Sequence, residues 1–337
     1  GDGPAGDILV WDQPRLVGQG RPEVLLRDVP AVVRDLAAGL DRIFGATEKY
    51  LAAAAEAAAT SGVVDVPALA RRHGVEGPAL GVWLDYLGIE PDDRFQPDLF
   101  TNPLRDITAW DFIQGWGSHD TPAFLANSSA DQRVRIPGIT WPGSVGVHPS
   151  ATHYAAAGWR SPVAATVRVE AVVTDEMPEY GNGVTWSLEH RRGRERRRLE
   201  TGTAHLTEEI REYSPGVKVG PVDNLSVLPG DFISLIVGPG QGDHAGDYTD
   251  LKLKITTLGE NPTEWSLAAE VSGSVLAGNP HADHAGREGI WHFYQEPVQV
   301  GQSLPIIPAG SLLDRWRAAG SSREKARIAA AVQRLLS

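Results

Sequence analysis

The sequence predicts a mainly β protein with helical N-terminal and C-terminal segments, built on an antiparallel β-sandwich of jelly-roll or lectin-like type. Three observations predict it. Between residues 146 and 300, apolar and polar residues alternate at period two, with Gly and Pro turns between the runs. Residues 31–90 and 301–337 instead show apolar residues at helical spacing. Ten tryptophans, 37 glycines and 24 prolines suit a loop-decorated β scaffold with aromatic surfaces.

Taken in order, residues 1–30 read as an extended segment. Gly1 to Gly6 carry neither a positive n-region nor an apolar h-region, so no intact signal peptide is expected there, and the start reads as a trimmed or excised segment. Ile8-Leu9-Val10-Trp11 and Val24-Leu25-Leu26 are short strand candidates separated by Pro14, Gly18, Gly20 and Pro22. Residues 31–60 read as one helix, with Leu36, Leu40, Ile43, Thr47 and Leu51 in a stripe and Gly62 as its stop. A helical pair follows, with Asp65 as N-cap, Gly74 between the two pieces, and the second running from Pro78 to Leu87 before Gly88. Its Ala-Arg-Arg-His-Gly-Val sequence resembles a helix-turn-helix. The second helix carries Asp85 and no Lys or Arg, which makes it a poor major-groove reader.

Residues 91–145 read as a loop-rich connector, interrupted by Pro91, Pro97, Pro103, Pro122, Pro137 and Pro142. The sandwich is expected over 146–300. Val167, Val169 and Ala171 alternate with Arg168 and Glu170, and Val184, Trp186 and Leu188 with Thr185 and Ser187. Leu251, Leu253 and Ile255 alternate with Lys252 and Lys254, and Phe232 to Val237 is a denser apolar run after the turn Pro229-Gly230-Asp231. Residues 301–337 return to helix through Leu312, Leu313, Trp316, Ile328, Val332 and Leu335.

Composition excludes several function classes. The 337 residues carry a formal net charge of -12, which disfavours generic binding to nucleic acid or anionic membrane. No run approaches the roughly 18 apolar residues of a membrane span. With no cysteine, the chain has no thiolate nucleophile, zinc-thiolate site, disulfide or c-type haem attachment. Ser144 follows Pro142-Gly143, so no Gly-x-Ser-x-Gly elbow is present, and no P-loop opens a helix.

Several phrases carry a family resemblance. They are Gly-Trp-Arg-Ser-Pro-Val-Ala-Ala-Thr-Val-Arg-Val-Glu-Ala (158–171), Gly-Asn-Gly-Val-Thr-Trp-Ser-Leu-Glu (181–189) and Leu-Pro-Gly-Asp-Phe-Ile-Ser-Leu-Ile-Val-Gly-Pro (228–239). Leu-Ala-Gly-Asn-Pro-His-Ala-Asp and Trp-His-Phe-Tyr-Gln-Glu-Pro within 276–297 join them, as does the helical stretch 35–89. These resemble a segment of large planctomycete proteins that carry cytochrome-c-type domains. The haem-attaching motif of that family lies in a separate module and is absent here, so no haem chemistry carries over. Family cysteines near the positions of Tyr180 and Gly246 are also missing. The resemblance implies an extracytoplasmic location, periplasmic or at the cell surface, and a lectin-like sandwich within a larger assembly. It implies no reaction.

Four sites stand out. The loop 238–250 offers Asp243, Asp247 and Asp250, hard oxygen donors suited to Ca²⁺, at a spacing that fits no EF-hand. The alternative is turn chemistry. His281, Asp283 and His284 form the tail of a metallo-β-lactamase-type motif, with His292 nearby, but Asn279 stands where that motif requires another histidine. The plain alternative is loop groups bonded to backbone. Trp110, Asp111, Gln114, Trp116, His119 and Trp291 are candidates for stacking on and hydrogen-bonding a sugar. The basic run His190–Arg198 reads either as a patch for an anionic glycan or acidic partner, or as a solvated hairpin with its tip at Gly193. Three functional readings follow: a non-catalytic glycan-binding or interaction module of a larger envelope protein, a metal-dependent hydrolase using the 281–292 cluster, and a ligand-free scaffold.

Overall fold

In the computed structural model of the protein, residues 11–18, 22–93, 95–105, 107–135, 138–177, 181–204, 216–240, 242–298 and 306–336 are described. The chain is mainly β, with antiparallel sheets and helices toward both ends. It divides into two compact units: one within 1–56, 65–83 and 309–337, the other within 57–64 and 84–308.

The first unit opens with a small hairpin of β1 (Arg15–Leu16) and β2 (Val24–Leu25). Positions 8–10 of the first strand candidate lie outside the described residues. The stretch expected as one helix is two: α1 (Val29–Gly45) and α2 (Thr47–Ala59). The break falls at Ala46 (φ -110°, ψ 18°), where the Thr47 hydroxyl donates to Phe44 O at 2.7 Å and so competes with the helical ladder. Leu36 and Leu40 of the expected stripe are exposed, and Leu51 is buried. Then come α3 (Val66–His73) and α4 (Gly77–Leu87). Asp65 accepts from Ala68 N at 2.9 Å, and Gly74 closes α3 in the left-handed region, both as the sequence predicts. Asp65→Ala is therefore expected to lower the stability of this unit by about 1 kcal/mol, read as a shift in its urea midpoint.

The second unit holds the strands. In chain order they are β3 (Asp98–Leu99), β4 (Pro103–Leu104), β5 (Ile113–Gly117), β6 (Ala123–Asn127), β7 (Val134–Arg135), β8 (Ile139–Thr140), β9 (Val145–His148), β10 (His153–Arg160) and β11 (Ala165–Asp175). There follow β12 (Val184–Arg192), β13 (Glu195–Ala204), β14 (Val217–Val227), β15 (Phe232–Pro239), β16 (Thr249–Thr257), β17 (Glu264–Ser266), the short helix α5 (Leu267–Val271) and β18 (Trp291–Pro297). Among the described residues they form a six-stranded sheet, β13-β12-β15-β10-β18-β3, and an eight-stranded one, β14-β11-β16-β9-β6-β5-β4 with β17 beside β16. All pairings are antiparallel, and neither sheet closes into a barrel.

Residues 91–145 are thus no mere connector; they supply β3 to β8. Their prolines avoid the ladder: Pro103 begins the edge strand β4, and Pro122 and Pro142 precede strands. The alternating residues Val167, Val169 and Ala171, Val184, Trp186 and Leu188, and Leu251, Leu253 and Ile255 are all buried. Together with Trp159, Trp265, Trp291 and Phe293 they join one core fed by both sheets. The C-terminal helices α6 (Leu312–Ala318) and α7 (Ser322–Leu336) belong to the first unit, where Trp316, Ile328 and Val332 are buried. No helix among the described residues is long and apolar enough to cross a membrane.

Candidate functional site

The six-stranded sheet turns Val184, Trp186 and Leu188 of β12 into the core, so Ser187, Glu189 and Arg191 point the other way. Strand register builds that second face row by row. Arg160 of β10 stands opposite Phe232 of β15, which stands opposite Arg191, which stands opposite Arg196 of β13. The adjacent row runs His292, Gly158, Ser234, Glu189, Arg198. Directly opposed residues share a face, so both rows lie side by side on this surface.

Charge organises one end of it. Glu189 is fully buried. Arg196 grips it through Nε (2.7 Å) and Nη2 (3.1 Å), a bidentate pair. Arg191 Nη2 donates to Glu189 Oε2 at 3.2 Å and to Glu296, and Arg198 approaches Glu189 Oε1 at 3.5 Å. Burial opposes ionisation of Glu189, but Arg196 and Arg191 outweigh it and hold its carboxyl below the usual range. Glu296 moves the other way: burial dominates there, and Arg191 and Arg196 only partly offset it. At the hairpin tip, Arg194 donates to the carbonyls of Thr60, Gly62, Glu90 and Pro91. The backbone comes close here too. A Cβ on Gly88 (φ 65°) would lie 1.8 Å from Arg196 O, so only glycine fits. The basic run is therefore not a solvated hairpin. Arg191, Arg194 and Arg196 are buried, and Arg197 alternates outward.

Beside this cluster lies a cleft of about 530 Å³. Arg160, Arg191, Phe232 and His292 form its floor, and Asp93, Phe95, Gln96, Pro97 and Leu99 line its side. Phe95 meets Phe232 edge-on at 5.1 Å, and the Arg191 guanidinium lies 4.0 Å over its ring. His292 packs against Phe232 at 4.9 Å. Burial, assisted by Arg160, lowers the His292 pKa to about 4, so its imidazole is neutral at neutral pH.

The residues singled out in the sequence do not converge here, His292 and Arg191 of the basic run excepted. Trp110 is half-buried, and Asp111 and His119 are exposed. Gln114 and Trp116 lie on β5, where Trp116 packs on the core and donates Nε1–H to Val275 O at 2.8 Å. Trp291 is wholly buried and donates to Glu270 Oε2 at 2.8 Å, so its faces meet protein and not a ligand. His281 faces Ala282 O and Ser274 O with its two ring nitrogens. Asp283 accepts from Trp265 Nε1 and from the backbone and guanidinium of Arg287, and His284 pairs with Glu270. Both ring nitrogens of His281, both carboxylate oxygens of Asp283 and Nδ1 of His284 thus have local protein partners.

The acidic loop is more unusual. Asp247 and Asp250 are buried and Asp243 is exposed, bonded to Ala245 N. Asp175 and Glu176 are buried with them, and no group of three acids or imidazoles among the described residues is placed to hold a metal ion. Asp247 Oδ1 is buried without a hydrogen bond among the described residues. It comes within 3.3 Å of where a Gly181 Cβ would stand, near the carbonyls of Ala245 and Gly246. Burial pushes Asp247 up to about 7, with Asp175 and Asp243 adding to it. Glu176 rises to about 8 through burial and Asp250, against a bond from Trp141 Nε1 (3.0 Å). Asp250 rises to about 6 through burial, opposed by Lys252.

Comparison with known protein families, with curated proteins and with solved structures finds no match. The residues that sequence reasoning missed are Phe95, Arg160, Glu189 and Phe232. A usable signal did exist for one of them: period-two alternation in β12 puts Glu189 on the face of Arg191, opposite the apolar Leu188 face.

Proposed function

We propose that the second unit is a non-catalytic carbohydrate-binding module of jelly-roll, lectin-like architecture, and that the cleft beside Arg191 is its ligand site. The observation that carries this reading is the lining itself, an aromatic wall from Phe95 and Phe232 set beside Arg160, His292 and Asp93. Sugars present an apolar C–H face and a rim of hydroxyls, which that combination matches. Asp93 is the one carboxylate among the described residues lining the cleft. Glycoside hydrolysis ordinarily uses two. Glu189 and Glu296 stand nearby, but their oxygens are engaged by guanidinium groups and are poorly suited to proton transfer. The family resemblance supports an extracytoplasmic setting within a larger assembly.

The test is a glycan array followed by calorimetry on the full chain. Phe95→Ala should weaken saccharide binding at least about tenfold, near 1.4 kcal/mol. An array with no binder, or a Phe95→Ala variant with unchanged affinity, would sink the proposal. In that event the scaffold reading gains.

A further inference from the structure

Resting on the reading of this cleft as a saccharide site, we infer that its ligand is anionic, a sugar bearing a uronate carboxylate held by the guanidinium of Arg160. The four ionisable groups among the described residues lining the cleft differ in what they have left to offer. Arg191 spends its Nη2 donors on Glu189 and Glu296, and its Nε is buried without a partner among the described residues. Arg160, two strands away in the same row, is exposed and makes no side-chain hydrogen bond or ion pair among the described residues. Among the described lining residues it is the open positive group. A guanidinium offers a planar fork of N–H donors that matches a carboxylate edge-on, and it remains charged at every physiological pH.

The remaining groups read the sugar around that carboxylate. Asp93 accepts from Gly62 N through Oδ2, and its Oδ1 is buried, so neither oxygen is turned out toward a ligand. His292 places Nδ1 3.4 Å from Ile290 O, which leaves Nε2 as an acceptor for a hydroxyl. Because the imidazole is neutral, it adds no second cation. Phe95 and Phe232 supply the apolar wall. Among the described residues, one open cation, one hydroxyl acceptor and one apolar surface fit a sugar acid better than a neutral sugar, which would leave Arg160 without a counter-charge.

The test is calorimetry on the full chain with an oligogalacturonate, with the same oligosaccharide after its carboxyls are reduced to alcohols, and with a sulfated galactan oligosaccharide that lacks carboxylate. The oligogalacturonate should bind at least tenfold tighter than its reduced form, and less tightly as salt rises. Arg160→Gln should abolish that preference and Arg160→Lys should keep part of it. Arg160 is exposed, so neither variant threatens the fold. Equal binding of the acid and reduced forms would overturn the anionic inference, while sensitivity to Phe95→Ala would keep the saccharide reading intact. Tighter binding of the sulfated galactan would overturn the carboxylate specifically. Absence of binding to all three would overturn this inference and the saccharide reading together.

Discussion

Glu189→Ala is expected to destabilise the β unit by about 3–5 kcal/mol, the range seen when one partner of a buried ion pair is removed. Glu189 has no exposed surface, and three guanidiniums reach it. Without its carboxylate, Arg191, Arg196 and Arg198 would face one another with the partly exposed Glu296 and, 3.7 Å from Arg196, Glu90 as nearby acids. Glu189→Gln separates charge from shape, because it keeps the side-chain volume and one acceptor. It should fall between Ala and the parent. Arg197→Ala is the internal control: it lies in the same basic run but points outward, and should change stability by less than about 0.5 kcal/mol. Urea unfolding followed by tryptophan fluorescence reads all three. A loss below about 1 kcal/mol for Glu189→Ala would mean that the cluster is not the electrostatic anchor described.

The second large effect is on pH. Asp247, Glu176 and Asp250 have folded-state pKa values near 7, 8 and 6, each above the unfolded value, with burial the leading cause. At these three sites the folded chain therefore binds more protons than the unfolded chain between about pH 4 and 8, while His292 and His148, both lowered by burial, bind fewer below about pH 6.5 and partly offset the effect there. Stability from the three acids is fully present below the unfolded pKa and is lost as pH rises through the folded values. The slope is up to about 1.4 kcal/mol per pH unit for each titrating group. The midpoint of unfolding should thus fall from pH 5 to pH 8 and flatten above. Asp247→Asn should reduce the slope, because the amide is neutral at every pH. A midpoint that rises over this interval would contradict the account. So would one held level by calcium and lost with chelator, which would point instead to a cation neutralising the cluster.

Local features were legible in the sequence, and features made by register were not. The alternation in β11 and β16 showed both the strands and their buried faces, since a period of two is imprinted residue by residue. Asp65 and Gly74 were legible because capping is a short-range interaction. The break at Ala46 was hidden by helical patterns on either side of a single hydroxyl contact, an apolar stripe before it and an alanine-rich run after it. Strands β5 and β6 were masked by the density of prolines around them, although the prolines fall where no ladder donor is required. The basic run misled for a different reason. Seven charged residues look like a solvated face until Glu189 and Glu296, more than 100 positions apart, are seen on neighbouring parts of one sheet. The cleft has no local signature at all: Phe95, Arg160, Arg191, Phe232 and His292 come from five separate segments.

The most direct test of the cleft as the binding site is hydrogen exchange on the full chain with and without oligogalacturonate. Protection should appear over residues 95–99 and 230–233, the segments that line the cleft. It should be absent over 107–120, where Trp110, Asp111 and His119 stand. Protection confined to 107–120, with the cleft segments unchanged, would contradict the account and move the site to the tryptophan-bearing loops.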